Sequence, residues 1–448
     1  MRLLAVDKRW VLFALAAAWA LLVTWFVQLY LLSGPLVNWS AGEGMLAGHD
    51  ITNFHAVAQA KAAEIAENGW SAWELRPHDW GVSGLLSAWY AITAPKLWLW
   101  APLQALLFGF AAVLMRELIL KVFDSPRIAG SAVIIVLLLP GAALLYVYPH
   151  RDFFVFLGFL LVLYGSLQLM QLSTMGYYET FARLAISISI ILLGFFCAIA
   201  VRQVAAQIFM GLSFILVLVA VGAMFAKPGR SSGLSVISLV FAMLLMGLVT
   251  FSGTGPREFH AEPGWTDPKD AVAEVEATPS QRWAATPGVP LVIDQQFENL
   301  AAARDRVIRI DGHGLSAIDL DITFRSIADF IVYLPRAAQI GLLAPFPKDW
   351  LPHPDTRPHR NVERVLMGAE MMVVYALLPF LLLACWRYRQ RLALWVIALP
   401  AISWIMLYAL TVPVVGTLVR YRYGPLLLLL AVALAMLLKL VNLKGVSR

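Results

Sequence analysis

Charge is what this chain has least of. Only 14% of its 448 residues are Asp, Glu, Lys or Arg, against about 25% in an ordinary soluble domain. A surface that faces water on every side is hard to build from so few charges. Cysteine is scarce too. Cys197 and Cys385 are the two, both in apolar runs, which argues against a disulfide framework or a Cys-ligated metal site. His260, His313, His353 and His359 are scattered, with no His-x-x-x-His spacing to form a metal cage. No matched halves of the transporter kind are present, and no low-complexity tract. No basic stripe interleaved with aromatics lies in a polar segment. The formal net charge of +6 therefore points to membrane topology and away from nucleic acid.

What is present is apolar length. The chain is 60% hydrophobic with mean hydropathy +0.74, and a helix needs about 20 mostly apolar residues to cross a bilayer. Residues 11–32, 97–120, 128–147, 153–170, 184–201, 208–225, 234–251, 366–385, 392–412 and 425–440 meet that need. A β-barrel would show alternating segments of about ten residues, and none is visible. The expectation is an all-α polytopic membrane protein with about ten transmembrane helices. The first run is too long for a signal-peptide core and lacks a small-residue cleavage site, so it reads as a retained span.

Arg2, Lys8 and Arg9 precede that span and place the N-terminus inside. Lys121, Arg127, Lys227, Arg230, Arg387, Arg389, Arg391, Lys439, Lys444 and Arg448 then fall on the same side, and both termini are cytoplasmic. Residues 1–251 form an N-terminal transmembrane module with a first outer loop over 33–95. Residues 252–365 form a large extracytoplasmic loop, and 366–448 the C-terminal transmembrane helices. In the first loop, 51–68 is rich in Ala, Lys, Gln and Glu, predicting a helix ended by Gly69. Residues 80–94 form a shorter apolar stretch that lies in the interface, with Trp80, Trp89 and Tyr90 at headgroup level. In the late loop, 294–321 alternates enough to hold a few strands, and Arg304, Asp305 and Arg306 read as a solvated face. Residues 322–343 carry Arg325, Asp329 and Arg336 on an apolar background, the pattern of an amphipathic helix on the membrane surface.

Polar groups at the outer mouths of the spans carry the chemistry, because an ionisable group near the membrane needs a partner or a function. Asp50 stands in Gly48-His49-Asp50-Ile51-Thr52-Asn53-Phe54-His55. It reads as a helix N-cap or as a catalytic carboxylate held at that position. His55 follows about one turn on, as its hydrogen-bonding neighbour or as a plain face residue. Tyr148-Pro149-His150-Arg151-Asp152 opens a very apolar helix. Asp152 there either answers the helix dipole, with Arg151 as an anchor, or is a second carboxylate on the cavity of Asp50. Arg202, Arg336, Arg420 and Arg422 stand on the outer side, where arginine should be scarce. They bind a substrate phosphate through their planar forks, or they pair with carboxylates such as Glu258, Glu363 or Glu370. Glu370 is a third acidic group of the cavity or a partner for one arginine.

This layout resembles the GT-C superfamily of membrane glycosyltransferases, which take sugars from polyprenyl-phosphate carriers. Asp50 matches their acidic residue close behind the first span, 56–68 and 80–94 match their juxtamembrane helices, and Pro149-His150-Arg151-Asp152 matches their second acidic position. Tyr333-Leu334-Pro335-Arg336 and Ala344-Pro345-Phe346-Pro347 look like a stretch in membrane proteins of surface-polysaccharide pathways. The resemblance implies inverting sugar transfer at the periplasmic face of a bacterial inner membrane, from a polyprenyl-phosphate-linked donor to a glycan or lipid acceptor. Asp50 would be the base and Asp152 the second carboxylate. Arg151, Arg202, Arg336, Arg420 and Arg422, with His55 and Glu370, would hold substrate and phosphate, and residues 324–350 would roof the site. Some branches carry an adjacent acidic pair where this chain has one acidic residue. Nothing in the sequence requires a cofactor, and a divalent cation (Mg2+ or Mn2+) near Asp50 and Asp152 is the alternative. The competing readings are an O-antigen-type polymerase or ligase, which uses outer arginines with a carboxylate or histidine base, and a lipid or polysaccharide flippase. The second expects charge at mid-span.

Overall fold

The computed structural model describes residues 7–172, 177–226, 230–252, 283–311, 316–354, 356 and 358–446. Glu258, His260, His313, Arg2, Lys227 and Arg448 lie outside them. Among the described residues the chain is helical with no strand, and eight helices are long and apolar enough to cross a membrane. The architecture is that of an all-α, multi-pass membrane protein. The chain divides into two compact units. One is Met1–Thr254 with Ala376–Ala401 and Leu427–Arg448; the other is Gly255–Tyr375 with Ile402–Leu426.

The first unit begins with α1 (Arg9–Trp25), which runs on as a π-helical segment, Phe26–Leu31. The outer loop then forms α2 (Ile51–Asn68), ended by Gly69 at a positive φ of 79°, and α3 (Gly81–Ile92). Ile51, Phe54, Ala58, Ala62 and Ile65 give α2 a buried stripe at helical spacing. The next helix is α4 (Ala101–Phe123), whose buried Arg116 bonds the Asp7 carbonyl at 2.6 Å and pairs with Glu117.

The expected span over 128–147 is not one helix. It is α5 (Pro126–Leu137) followed by a 3-10 turn, Pro140–Leu145. Pro140 lacks an N–H and forces Leu139 into an extended conformation, at ψ 140°. The break leaves carbonyls to satisfy, and buried side chains meet them. Gln104 donates to Leu145, Thr24 to Tyr146 and Gln28 to Val147, at 3.0, 3.2 and 2.6 Å.

The remaining helices of this run are α6 (Arg151–Met170), α7 (Tyr177–Val201), α8 (Ala205–Ala226) and α9 (Arg230–Ser252). The pair α6 and α7 is packed backbone to backbone, since a Cβ on Gly158 would run into the Gly194 carbonyl oxygen. Gly81 makes the same close approach to the Ala200 carbonyl at the end of α7.

The second unit contains α10 (Leu291–Asp311) and α11 (Ile327–Leu343). The strands expected over 294–321 are therefore replaced, through residue 311, by a helix. Its buried positions, Asp294, Ala301 and Arg304, recur at helical spacing. Arg304 is not part of a solvated face. It is fully buried and donates to the carbonyls of Ile322, Leu410 and Asp319. The amphipathic α11 starts at a capping box formed by Ser326 and Asp329 and exposes Ile331 and Val332. Three helices close the chain: α12 (Pro358–Arg387), α13 (Leu392–Thr411) and α14 (Val415–Val446). Arg422, expected at the mouth of the last span, is thus about two turns inside a helix.

Candidate active site

Asp50 occupies the N-cap position of α2, but its carboxylate makes no capping bond. One of its oxygens lies 3.7 Å from Arg151 Nη2 and 3.7 Å from His150 Nε2. The capping alternative therefore does not describe Asp50; its side chain points to the entry of α6. Tyr148 ties that entry to the first loop. Its hydroxyl accepts the Leu46 N–H at 3.1 Å and donates to the Gly44 carbonyl at 3.0 Å. Burial pushes the Tyr148 phenol well above its ordinary range, so it stays a donor.

Asp152 stands in the first turn of α6, where the helix dipole favours a carboxylate. It does more than answer the dipole. Its Oδ2 lies 3.0 Å from His150 Nδ1, and its Oδ1 lies 3.5 Å from Arg202 Nη1. The same Nδ1 is 3.3 Å from the Asp152 backbone N–H. Unprotonated, that nitrogen caps the helix; protonated, it faces the carboxylate. His150 thus sits between Asp50 and Asp152, and each carboxylate also has a guanidinium within 3.7 Å. With His150 neutral, two carboxylates and two arginines balance. Phe54 of α2 floors the group, with the Arg151 guanidinium 5.3 Å over its ring and the His150 ring 6.0 Å away.

Exposure separates the members. The Asp50 side chain is 38% exposed, while those of Asp152, His150, Arg202 and Arg151 are 10, 12, 18 and 21% exposed. Asp50 is the carboxylate that an incoming molecule reaches first. A divalent cation fits this set poorly, because each carboxylate already faces an arginine whose charge repels it. Among the described residues, no group of three or more His, Cys, Asp or Glu could hold a metal ion.

His55 does not join Asp50. It is buried between Tyr90 Oη at 2.7 Å and Glu43 Oε2 at 2.9 Å, an internal brace. Burial lowers its pKa below the ordinary 6.5, and Glu43 only partly offsets this. Glu43 stands at φ 50° between Gly42 and Gly44, both also at positive φ. A non-glycine residue held there costs free energy, and the bond to His55 is one of the contacts that fix it.

His150, Glu43 and Tyr148 had no assigned role in the sequence reading. His150 had a signal, lying inside the motif that supplied Arg151 and Asp152. Glu43 had only its flanking glycines, which mark a turn.

The other expected site residues belong to the second unit. Arg336 forms a two-pronged pair with Asp319 at 2.8 and 3.0 Å and donates to Gln339 at 2.7 Å. Tyr333 also donates to Asp319, at 2.9 Å. The hydrogen bond from Arg336 leads the effects that hold the Asp319 carboxyl below the usual range. Arg336 therefore has a carboxylate partner, and not one of those expected. Glu363 pairs with Arg360, and Glu370 accepts from the Tyr423 hydroxyl at 2.6 Å. Arg422 is fully buried and donates to the carbonyls of Ile340, Gly341 and Ala344 at the end of α11. These bonds make it a brace at the helix end, where Ile340 also accepts the Ala344 N–H at 3.1 Å. The Arg420 guanidinium lies 5.3 Å over the Tyr421 ring.

Four of the nine expected residues, Asp50, Arg151, Asp152 and Arg202, are thus brought into one cluster in the first unit. Comparison with models of known protein families, with curated proteins and with solved structures finds no match for this chain.

Proposed function

We propose that the chain is a membrane glycosyltransferase of the GT-C type, moving a sugar from a polyprenyl-phosphate carrier to a glycan or lipid hydroxyl at the periplasmic face of the inner membrane. The observation that carries this reading is Asp50, a carboxylate at a helix start that does not cap its helix and is the most open member of a charged cluster. The acceptor oxygen attacks the anomeric carbon, its proton passes to Asp50, and the bond from that carbon to the carrier phosphate breaks. Arg151 and Arg202 supply positive charge for the departing phosphate. Asp152 orients Arg202 and the His150 ring. Arg336 and Arg422 take no part, since their donors are engaged by Asp319 and by main-chain carbonyls.

One observation favours a second reading. His150 lies between two carboxylates, its Nε2 3.7 Å from Asp50 and its Nδ1 3.0 Å from Asp152. A polymerase or ligase with a histidine base would use it in place of Asp50.

Transfer from a purified polyprenyl-phosphate-linked sugar, measured with the Asp50→Asn and His150→Asn variants, separates the two. Loss in Asp50→Asn supports the first reading. Wild-type rate in that variant with loss in His150→Asn supports the second. Wild-type rate in both removes this cluster from the chemistry.

A further inference from the structure

A separate cavity of about 440 Å³ lies in the first unit where α12 ends, α13 begins and α14 passes. Its walls include Arg387, Tyr388, Arg391, Met436, Lys439 and Leu440. Its size falls within the range of small-molecule sites. Three cations line this one space. Arg391 pairs with Asp124 at 2.6 Å. Lys439 lies 5.2 Å over the Tyr388 ring and donates to the Phe123 carbonyl at 3.3 Å. Among the described residues no carboxylate pairs with Arg387. The end of α4 fixes the set: Phe123 packs on Tyr388 with ring centroids 4.8 Å apart, and Asp124, at φ 54°, turns the chain there.

The positive-inside rule explains why basic residues gather at this end of the spans. It does not explain why three of them share a cavity against one carboxylate, where like charges repel. A bound anion removes that repulsion. The surroundings decide which anion. Met436 and Leu440 give the cavity an apolar wall, and Leu382, Trp386 and Val441, which flank the lining residues along the chain, are apolar and exposed. An exposed indole at a span end is the side chain that suits the headgroup level. We infer that this cavity is a binding site for the phosphate headgroup of an anionic phospholipid, with Arg387, Arg391 and Lys439 around the phosphate and the acyl chains along the apolar wall. Basic pockets between membrane helices suit such headgroups.

The inference does not depend on sugar transfer. Full-length protein, delipidated in detergent, is titrated with phosphatidylglycerol, with phosphatidylcholine and with inorganic phosphate, and bound molecules are counted by native mass spectrometry. Phosphatidylglycerol is expected to bind on the order of tenfold more tightly than phosphatidylcholine, with the preference abolished in Arg387→Gln/Lys439→Gln and kept in Lys439→Arg. Arg387→Gln alone, at an exposed position, gives a reduced preference in a chain whose fold is undisturbed. Equal binding of the two lipids by the wild type overturns the site. So does an undiminished preference in the double variant. Inorganic phosphate that binds as tightly as phosphatidylglycerol overturns the lipid as occupant.

Discussion

Arginines meet carboxylates in both units, and the two sets differ in how their donors end. In the first, Arg202 and Arg151 stand 3.5 and 3.7 Å from Asp152 and Asp50, beyond ordinary hydrogen-bond length. In the second, Arg336 grips Asp319 at 2.8 and 3.0 Å, and Arg304 and Arg422 spend their donors on main-chain carbonyls. A guanidinium committed to buried carbonyls cannot turn to a ligand without orphaning them, at about 1–3 kcal/mol each. Arg151, 3.7 Å from the part-exposed Asp50, is not committed in that way. The comparison therefore separates arginines that hold the fold from arginines suited to a ligand, a distinction that residue type alone does not make.

Four experiments break or sharpen it. The largest effect is expected at Asp50. Asn there should lower transfer by about 10²–10⁴-fold, the usual worth of a general base, with thermal unfolding in detergent unchanged. Next comes Arg422→Met, which takes the donor from the Gly341 and Ala344 carbonyls, while Ile340 keeps the Ala344 N–H, and should cost about 3 kcal/mol of stability. A smaller cost would mean that those carbonyls find other donors. Arg202 and Arg336 form the matched pair. Arg202→Ala should raise the donor KM about tenfold with little change in melting temperature. Arg336→Ala should do the reverse, costing no more than about 1 kcal/mol because the pair is part-exposed. Identical behaviour of these two variants would erase the contrast.

The smallest effect is a slope. Since the folded pKa of His55 is lowered below its ordinary 6.5, the unfolded chain binds more protons once the pH falls beneath that value. Its contribution to stability is complete above about pH 6.5 and declines as the pH falls toward the folded pKa. His55→Gln should flatten melting temperature against pH in that window. An unchanged slope assigns the dependence elsewhere.

The sequence made some of this plain. The first-loop helix was legible at both ends, 51 to 68, because its signals are local: helix-forming residues followed by Gly69. The break after α5 was not, because hydropathy is blind to the single proline at 140 that causes it. Helix α10 was hidden for another reason. Its buried face carries Asp294 and Arg304, so the apolar periodicity that betrays a helix is interrupted where it should be clearest. In the candidate site, Asp50, Arg151, Asp152 and Arg202 were readable as charges out of place at span mouths. That His150 lies between the carboxylates, and that His55 turns to Glu43, depends on contacts across about 100 residues in one case and on a strained turn in the other. Neither leaves a trace in composition or spacing.

The contact of Gly158 with Gly194 has a consequence at the mouth of the cluster. Asp152 sits at the head of α6 and Arg202 just past the tail of α7, so the separation of the two charges is gauged by main chain resting on main chain, less than three turns away. At the point where Gly158 meets the Gly194 carbonyl there is no rotamer to change and let the gap drift. Gly81, seated against Ala200, fixes a third element to the same reference. The electrostatic tuning of this mouth is therefore written in residues that carry neither charge nor side chain, and a single added methyl group at 158 would detune it without touching either charge.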